Sequence, residues 1–507
     1  MSRVDARSLV SGWLDGRAVV EGNRVALRPR RAAPFAEKLQ RAYAWITERA
    51  IHTPYADLEL GPSTNLGKGN GFVEVTKGPS YSSFILLPLL NLVVRRRLVF
   101  VGGTGRGKTS VATLMGILAG YPPEQIRRAI QHGHPQLTNA DLLGSPLPSA
   151  LVRAERSDDV HVSWRSWIGM RVKIIDEYNR IPTKTQSALL SLMAEGYAEM
   201  YEQLVEAGRA AWYLTANDDL GGGTFPVIEA LRDRIDAVVC STPFHASFLG
   251  SLAARLDAGI DQPVVPRDLV FTELELDQAD TEIRAIPIPA DVLELLGFFL
   301  SQLEFCRRAS LRIEGMTKDT LHLAGRRVAH VCNEDCPLDK LANLCTQTEN
   351  GSSARAYQAL LHFAKALAYF RGQQAVSTAE VRAILPFVLL ERLRPNESSA
   401  FFEREEHKTY LLDRVGWIRQ LFDRAVAQHA AHRGVHESVT KLVAELDPGM
   451  DELSSPELQL RLSLIEQKIE AIVLKNELNG PVHQDLVALK SLHARCTRAS
   501  NKQRGRA

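Results

Sequence analysis

Apolar residues along the chain fall into three kinds of pattern, and each predicts a different element. Short continuous runs at Leu98-Val99-Phe100-Val101, Val172-Lys173-Ile174-Ile175 and Ala211-Trp212-Tyr213-Leu214 read as strands buried on both faces. Val111, Leu114, Met115 and Leu118 recur at helical spacing, so a helix begins near Lys108. Phe35, Leu39, Tyr43 and Ile46 make a similar stripe within 33–50. Tyr357, Leu360, Leu361 and Ala364 make another, with Ser352 or Ser353 as its cap. Ser377-Thr378-Ala379-Glu380 is a capping box that opens a further helix. Alternation over Val160–Trp164, after Pro146 and Pro148, predicts a hairpin or loop inserted outside the main sheet. Arg127-Arg128-Ala129-Ile130-Gln131 reads as one more strand. Beyond residue 396, Tyr410, Leu411, Val415, Ile418, Leu421 and Phe422 form a stripe, Pro448-Gly449 breaks it, and Leu460–Leu478 resumes it. Two or three long helices and a basic tail, Lys502–Arg506, are expected there.

Polar punctuation at the ends of the buried runs supplies the chemistry. Directly after Val101 comes Gly102-Gly103-Thr104-Gly105-Arg106-Gly107-Lys108-Thr109, which fits the phosphate-loop pattern G-x-x-x-x-G-K-[ST] at every fixed position. Strand, glycine loop and helix are the context this pattern needs. The glycines let backbone N–H groups close on a triphosphate, and the helix N-terminus, through Ser110, adds its positive end. Lys108 is expected on the β- and γ-phosphates and Thr109 on Mg²⁺. The second run ends in Asp176-Glu177, at the strand edge where open α/β sheets take ligands. Asp176 is suited to hold Mg²⁺ through its water shell, and Glu177 to take a proton from the attacking water. The third run ends at Asn217, whose carboxamide can orient that water or touch the γ-phosphate.

Composition narrows the setting. An apolar content of 45 % and a net charge of +2 describe an ordinary globular chain with no bulk attraction to nucleic acid or membrane. No apolar run reaches the ~20 residues of a membrane helix. The opening MSRVDARSLVSGWLDG lacks a secretory core, and six cysteines in 507 residues make no disulfide framework, so a cytoplasmic protein is expected.

The ordered motifs resemble those of the MoxR family of AAA+ ATPases. GGTGRGKT is similar to its Walker A and VKIIDE, followed by YNRIPTKTQSALLSLMAEG, to its Walker B. TANDDLGGGTFPVIEALRDRI is similar to its sensor 1 region. Downstream, Gly351-Ser352-Ser353-Ala354-Arg355, AYQALLHFAKALAYFRG and VSTAEVRAILPFVLLERL look like its lid. The resemblance covers roughly residues 80–395. It implies an α/β P-loop AAA+ core, a parallel sheet between helices, with an all-helical lid and, here, a helical C-terminal extension. The expected divisions are 1–80, an N-terminal extension; 81–275, the nucleotide-binding domain; 276–395, the lid; and 396–507, the extension. The resemblance further implies ATP and Mg²⁺ as cofactors, Arg355 as sensor 2 and Arg234 as an arginine finger serving a neighbouring subunit. It implies a homo-oligomer, of six subunits on the family pattern, that remodels a protein client, often with a separate von Willebrand A-type partner.

A nucleic-acid motor or the NTPase arm of a restriction complex is the competing class; neither net charge nor any recognisable binding module favours it. Every chemical motif precedes residue 396, so the later helices are expected to be dispensable for hydrolysis. His330, Cys332, Cys336 and Cys345 crowd together, but their spacing matches no standard zinc pattern. Trp164 and Trp167 are expected to pack rather than grip a substrate.

Overall fold

A computed structural model of the chain describes residues 18–21, 24–27, 34–68, 71–153, 160–217, 227–259, 264–332, 335–448 and 453–504. The N-terminal stretch before residue 18, the glycine-rich loop 221–226, Gly449 and the last residues of the basic tail lie outside the described residues.

Helix α1 (Pro34–Trp45) runs on as a π-helical turn to Ala50 and buries Leu39 and Ile46, with Phe35 and Tyr43 against the core. Helix α2 (Ser83–Val94) is apolar all round, and all of its residues are buried, as expected of a helix in the centre of a large core. It leads into β1 (Arg97–Val101), the phosphate loop and α3 (Lys108–Leu118).

The segment read as a strand at 127–131 is instead mostly helix. Helix α4 (Pro123–Ala129) is followed by a two-residue strand, β2 (Gln131–His132). Pro122-Pro123 presets the first helical turn, and burial of Ile126 and Ala129 three residues apart, with Arg127 and Arg128 exposed, selects the helical period. Of the hairpin or loop expected outside the main sheet, the structure shows an antiparallel pair, Gly144–Pro146 with Val162–Trp164. Trp167 is buried, donates its Nε1–H to Leu142 O at 2.8 Å and meets Trp212 edge-on, so it packs as expected.

Next come β3 (Val172–Asp176), α5 (Thr183–Ala194), a hairpin of Tyr197–Met200 with Gln203–Glu206, β4 (Ala211–Thr215), α6 (Glu229–Arg234) and β5 (Ala237–Cys240). The five labelled strands form one parallel sheet in the order β5-β1-β4-β3-β2. Because β1 connects outward to β2 while β4 returns beside it, the crevice at the C-terminal ends of β1, β3 and β4 is where a ligand belongs.

Helix α7 (Leu249–Asp257) follows, then α8 (Glu273–Ala285), α9 (Ala290–Glu304), α10 (Ala354–Phe370) and α11 (Thr378–Leu389). Ser353 caps α10, and the Ser377–Glu380 capping box opens α11. Helix α12 (Arg414–Leu446) spans two clusters. Phe401, Phe402, Trp417, Ile418, Leu421 and Phe422 belong to the main core, whereas Val439 packs with α13 (Ser455–Lys475) and α14 (Gly480–Arg504) in a separate one. The residues just past 396 are therefore part of the body of the protein and not an appendage.

Candidate nucleotide site

The phosphate loop turns as its glycines allow. Gly105 (φ 73°) and Gly107 (φ 74°) lie in the left-handed region, and Gly107 ends the loop as the residue before α3. Lys108 is buried, and its Nζ donates to Gly102 O at 2.5 Å, Gly103 O at 2.8 Å and Asn217 Oδ1 at 2.7 Å. The loop, Asp176, Glu177, Thr215 and Asn217 line one cleft of about 350 Å³.

Neighbouring strand ends bring the polar groups of that cleft into register. Asp176 Oδ1 accepts from the hydroxyls of Thr109 and Thr215, each at 2.7 Å. Thr215 in turn accepts the Glu177 N–H at 2.9 Å, so a single hydroxyl aligns both acids. Asn217 bridges the two ends of the site: its Oδ1 accepts from Lys108, while its Nδ2 donates to Glu177 Oε1. Arg180 Nε pairs with Glu177 Oε2 at 3.2 Å. Glu177 itself sits at φ 51°, a left-handed conformation that costs a residue with a Cβ about 1 kcal/mol or more.

Two members of this constellation were not singled out from sequence. Thr215 belongs to no motif of its own and follows a buried run with no local signal of its role. His132 faces Asp176 Oδ2 through Nδ1 at 3.3 Å, because β2 pairs with β3 in the register that sets His132 beside Asp176. A two-residue strand directly after a helix leaves no periodic signal, so the place of this histidine is not legible in the sequence.

A second cavity of about 380 Å³ opens beside Gly105–Gly107 and Ser110 and is walled by His52, Phe248, Leu252 and Arg255. His52 and Phe248 stack at 4.5 Å with 10° between their planes. Arg255 donates to the carbonyl of Ala50 at 3.1 Å, tying α7 to the end of α1. Burial, and then the Arg255 charge, hold the His52 imidazole below its usual pKa and so favour its neutral form.

Arg234 and Arg355 do not line the cleft of their own chain. Arg234 Nη1 donates to Ala230 O at 3.2 Å, and Nη2 lies 3.6 Å from Glu195. Arg355 Nη1 pairs with Asp233 Oδ2 at 2.6 Å, beside a 2.6 Å bond from Ser353 Oγ to Asp233 Oδ1. Burial raises the Asp233 pKa, but the bonds from Ser353 and Arg355 outweigh it and hold the group below its ordinary value. The backbone carbonyl of Asp233 also accepts from Arg392 at 2.6 Å. Both arginines are thus organised around α6.

A hydroxyl and a carboxylate side by side are hard oxygen donors that fit Mg²⁺, with nucleotide phosphates and water completing the sphere. Among the described residues, no group of three or more His, Cys, Asp or Glu is placed to hold a metal by itself. His330 is exposed; Cys306 takes its place near Cys332, Cys336 and Cys345, and burial pushes the Cys345 thiol up to about 12.

Comparison with known proteins places the helical part of this arrangement. Residues 341–411 match the family model of the AAA lid domain. A crystal structure of a candidate ATPase from Cytophaga hutchinsonii aligns at 15 % identity over 77 % of this chain and 94 % of that one, with a TM-score of 0.46. No curated protein matches the sequence. A five-stranded parallel sheet flanked by helices, an AAA lid and a mostly helical C-terminal part together make an AAA+ α/β fold.

Proposed function

We propose that this protein is an ATPase of MoxR type that works as a ring, of six subunits on the family pattern, to remodel or assemble a protein client in the cytoplasm. The observation that carries the reading is the Asn217 bridge, which joins the phosphate-binding Lys108 to the acid Glu177 across β1, β3 and β4. A carboxamide so placed responds to the γ-phosphate on one side and positions the base on the other.

In this reading the loop N–H groups, Lys108 and the N-terminus of α3 bind the phosphates. The adenosine enters the adjoining cavity, where the His52–Phe248 pair offers a flat apolar wall. Mg²⁺, held by Thr109 and Asp176, would supply Lewis-acid stabilisation of charge on the γ-phosphoryl oxygens. Glu177, kept in place by Asn217 and Arg180, accepts the proton that the attacking water loses as its oxygen bonds phosphorus; the bridging oxygen leaves with ADP. Arg234 and Arg355, gathered around α6 and away from their own cleft, are suited to reach the nucleotide of a neighbouring subunit. A client, and a separate von Willebrand A-type partner, follow from the MoxR reading.

The test is nucleotide binding and turnover measured side by side. Lys108→Ala should lose binding, whereas Glu177→Gln should bind ATP and lose turnover by about 10²–10⁴-fold. Parental turnover in Glu177→Gln would remove the base from the scheme. Stimulation by DNA or RNA, rather than by a protein, would move the protein to the nucleic-acid class.

A further inference from the structure

Four of the six cysteines gather in the segment between α9 and α10, away from the phosphate loop. Cys306, Cys332, Cys336 and Cys345 lie close together beside the buried side chain of Lys318. Cys336 and Cys345 share an apolar cluster with Phe305, Met316 and Leu338. Among the described residues no group of three is placed to hold a metal ion, so the cluster offers thiol chemistry and not a ligand cage. Within it one pair stands apart: the side chains of Cys332 and Cys336 hydrogen-bond sulfur to sulfur.

The local fold gives these two thiols different characters. Cys332 ends the short helix Val328–Val331 and donates its N–H to Val328 O at 2.8 Å. The Glu349 carboxylate accepts the N–H groups of Val328 and Ala329, at 3.0 and 3.1 Å, and so fixes the start of that helix. Cys336 sits where donors and positive charge converge. The bond from the Cys332 thiol, then the Leu338 N–H and the nearby Arg308 and Lys340 charges, outweigh burial and pull Cys336 down to about 6. Cys332, as the donor, is held well above the ordinary thiol value, by that bond first and by burial second. Burial keeps Cys306 and Cys345 protonated as well.

Both members of the pair are partly exposed, so a small oxidant can reach them. We propose that Cys332 and Cys336 are a peroxide-responsive dithiol that closes reversibly to a disulfide. The Cys336 thiolate attacks one oxygen of hydrogen peroxide, the O–O bond breaks, and hydroxide leaves to take up a proton as water. The Cys332 sulfur then attacks the sulfenic acid so formed. The S–S bond forms, the S–O bond breaks, and the oxygen leaves with the Cys332 proton as a second water. Two electrons pass from the sulfurs to the peroxide, and a dithiol reductant returns them. Where glutathione keeps thiols reduced, such bridges are transient and report oxidant rather than staple a fold.

The experiment uses the full, reduced chain near neutral pH. With a small excess of hydrogen peroxide its intact mass should fall by two hydrogens, and peptide mapping after alkylation should join Cys332 to Cys336. Dithiothreitol should restore the starting mass. Cys336 should react with iodoacetamide roughly tenfold faster than an ordinary exposed cysteine. In Cys332→Ser, which keeps a hydrogen-bond donor, oxidation should halt at a sulfenic acid on Cys336 that dimedone traps; Cys336→Ser should form no disulfide at Cys332. A parent chain that joins Cys336 to Cys306 or Cys345, or that gains oxygen on Cys336 without a bridge, overturns the inference. So does zinc that stays with the purified chain until its thiols are blocked, because the cluster would then be a metal site. The parent chain decides the pairing by itself, so a variant that fails to fold leaves the test intact.

Discussion

Glu177 illustrates how a single residue can serve chemistry against its own backbone preference. At φ 51° an alanine suffers nearly the same strain as glutamate, whereas glycine suffers none. Glu177→Gly should therefore be more stable than Glu177→Ala by about 1 kcal/mol in urea unfolding, although both are inactive. Equal stabilities would show that the left-handed conformation is not strained. Asn217 permits a sharper test. Asn217→Asp keeps an acceptor for Lys108 but replaces the donor facing Glu177 with a like charge, so kcat should drop by about 10²-fold with nucleotide affinity changed only a few-fold. Thr215→Val should lower kcat as well, since it releases Asp176 and Glu177 together.

At the scale of elements, β3 has an unusual anchor. Lys173 is fully buried between apolar neighbours, and its Nζ donates to the carbonyls of Ile168 (2.6 Å), Met170 and Ala207 (3.0 Å). Burial pulls its pKa down to about 8, from about 10.4 in an unfolded chain. Between those values the unfolded state binds more protons than the native one, so this residue makes stability rise with pH from about 8 to about 10. Urea unfolding at pH 7.5, 9 and 10 should show a shallower rise in Lys173→Met than in the parent; identical slopes would mean that Lys173 titrates normally. Helix α12 sets a second expectation. A chain ending at residue 396 lacks Phe401, Trp417, Ile418, Leu421 and Phe422, so it should aggregate or melt far below the parent. A chain ending at 447 keeps them and loses the cluster formed with α13 and α14, together with the cover α14 gives α9 and Phe305, so it should be less stable than the parent but still bind nucleotide. A well-folded 396-residue chain by circular dichroism would contradict this division of the core.

For the whole molecule, the proposed ring would make the arrangement around α6 a means of cooperation between copies. Asp233 links Arg355 and Ser353 of the α10 start, and Arg392, to the helix that carries Arg234, so a shift of α10 would be transmitted to α6. Arg234→Ala should bind ATP but lose about 10³-fold or more in turnover, as expected for a finger on the transferring phosphoryl group. Mixing it with Glu177→Gln should restore part of the activity, because some interfaces then join an intact finger to an intact base. No recovery in rings shown to be mixed would place the finger elsewhere.

Several of these features are local properties of the sequence. A strand followed by GGTGRGKT and a helix, an apolar run ending in Asp176-Glu177, and a capping box at Ser377 each depend on residues a few positions apart, so spacing alone identifies them. Other features depend on which strand lies beside which. The β5-β1-β4-β3-β2 order brings Asn217 between Lys108 and Glu177, Thr215 under both acids and His132 against Asp176, and none of those pairs is close in sequence. The order also explains the misread segment at 127–131: an edge strand of two residues has too few positions to show a period, while a helix beginning at Pro123 does. Where the core ends was equally hidden, because one 33-residue helix carries apolar faces for two clusters, and a periodic stripe does not reveal which neighbour covers it. Periodicity and spacing record what a residue does for its own element; only the packed sheet and helices determine what it does for a residue a hundred positions away.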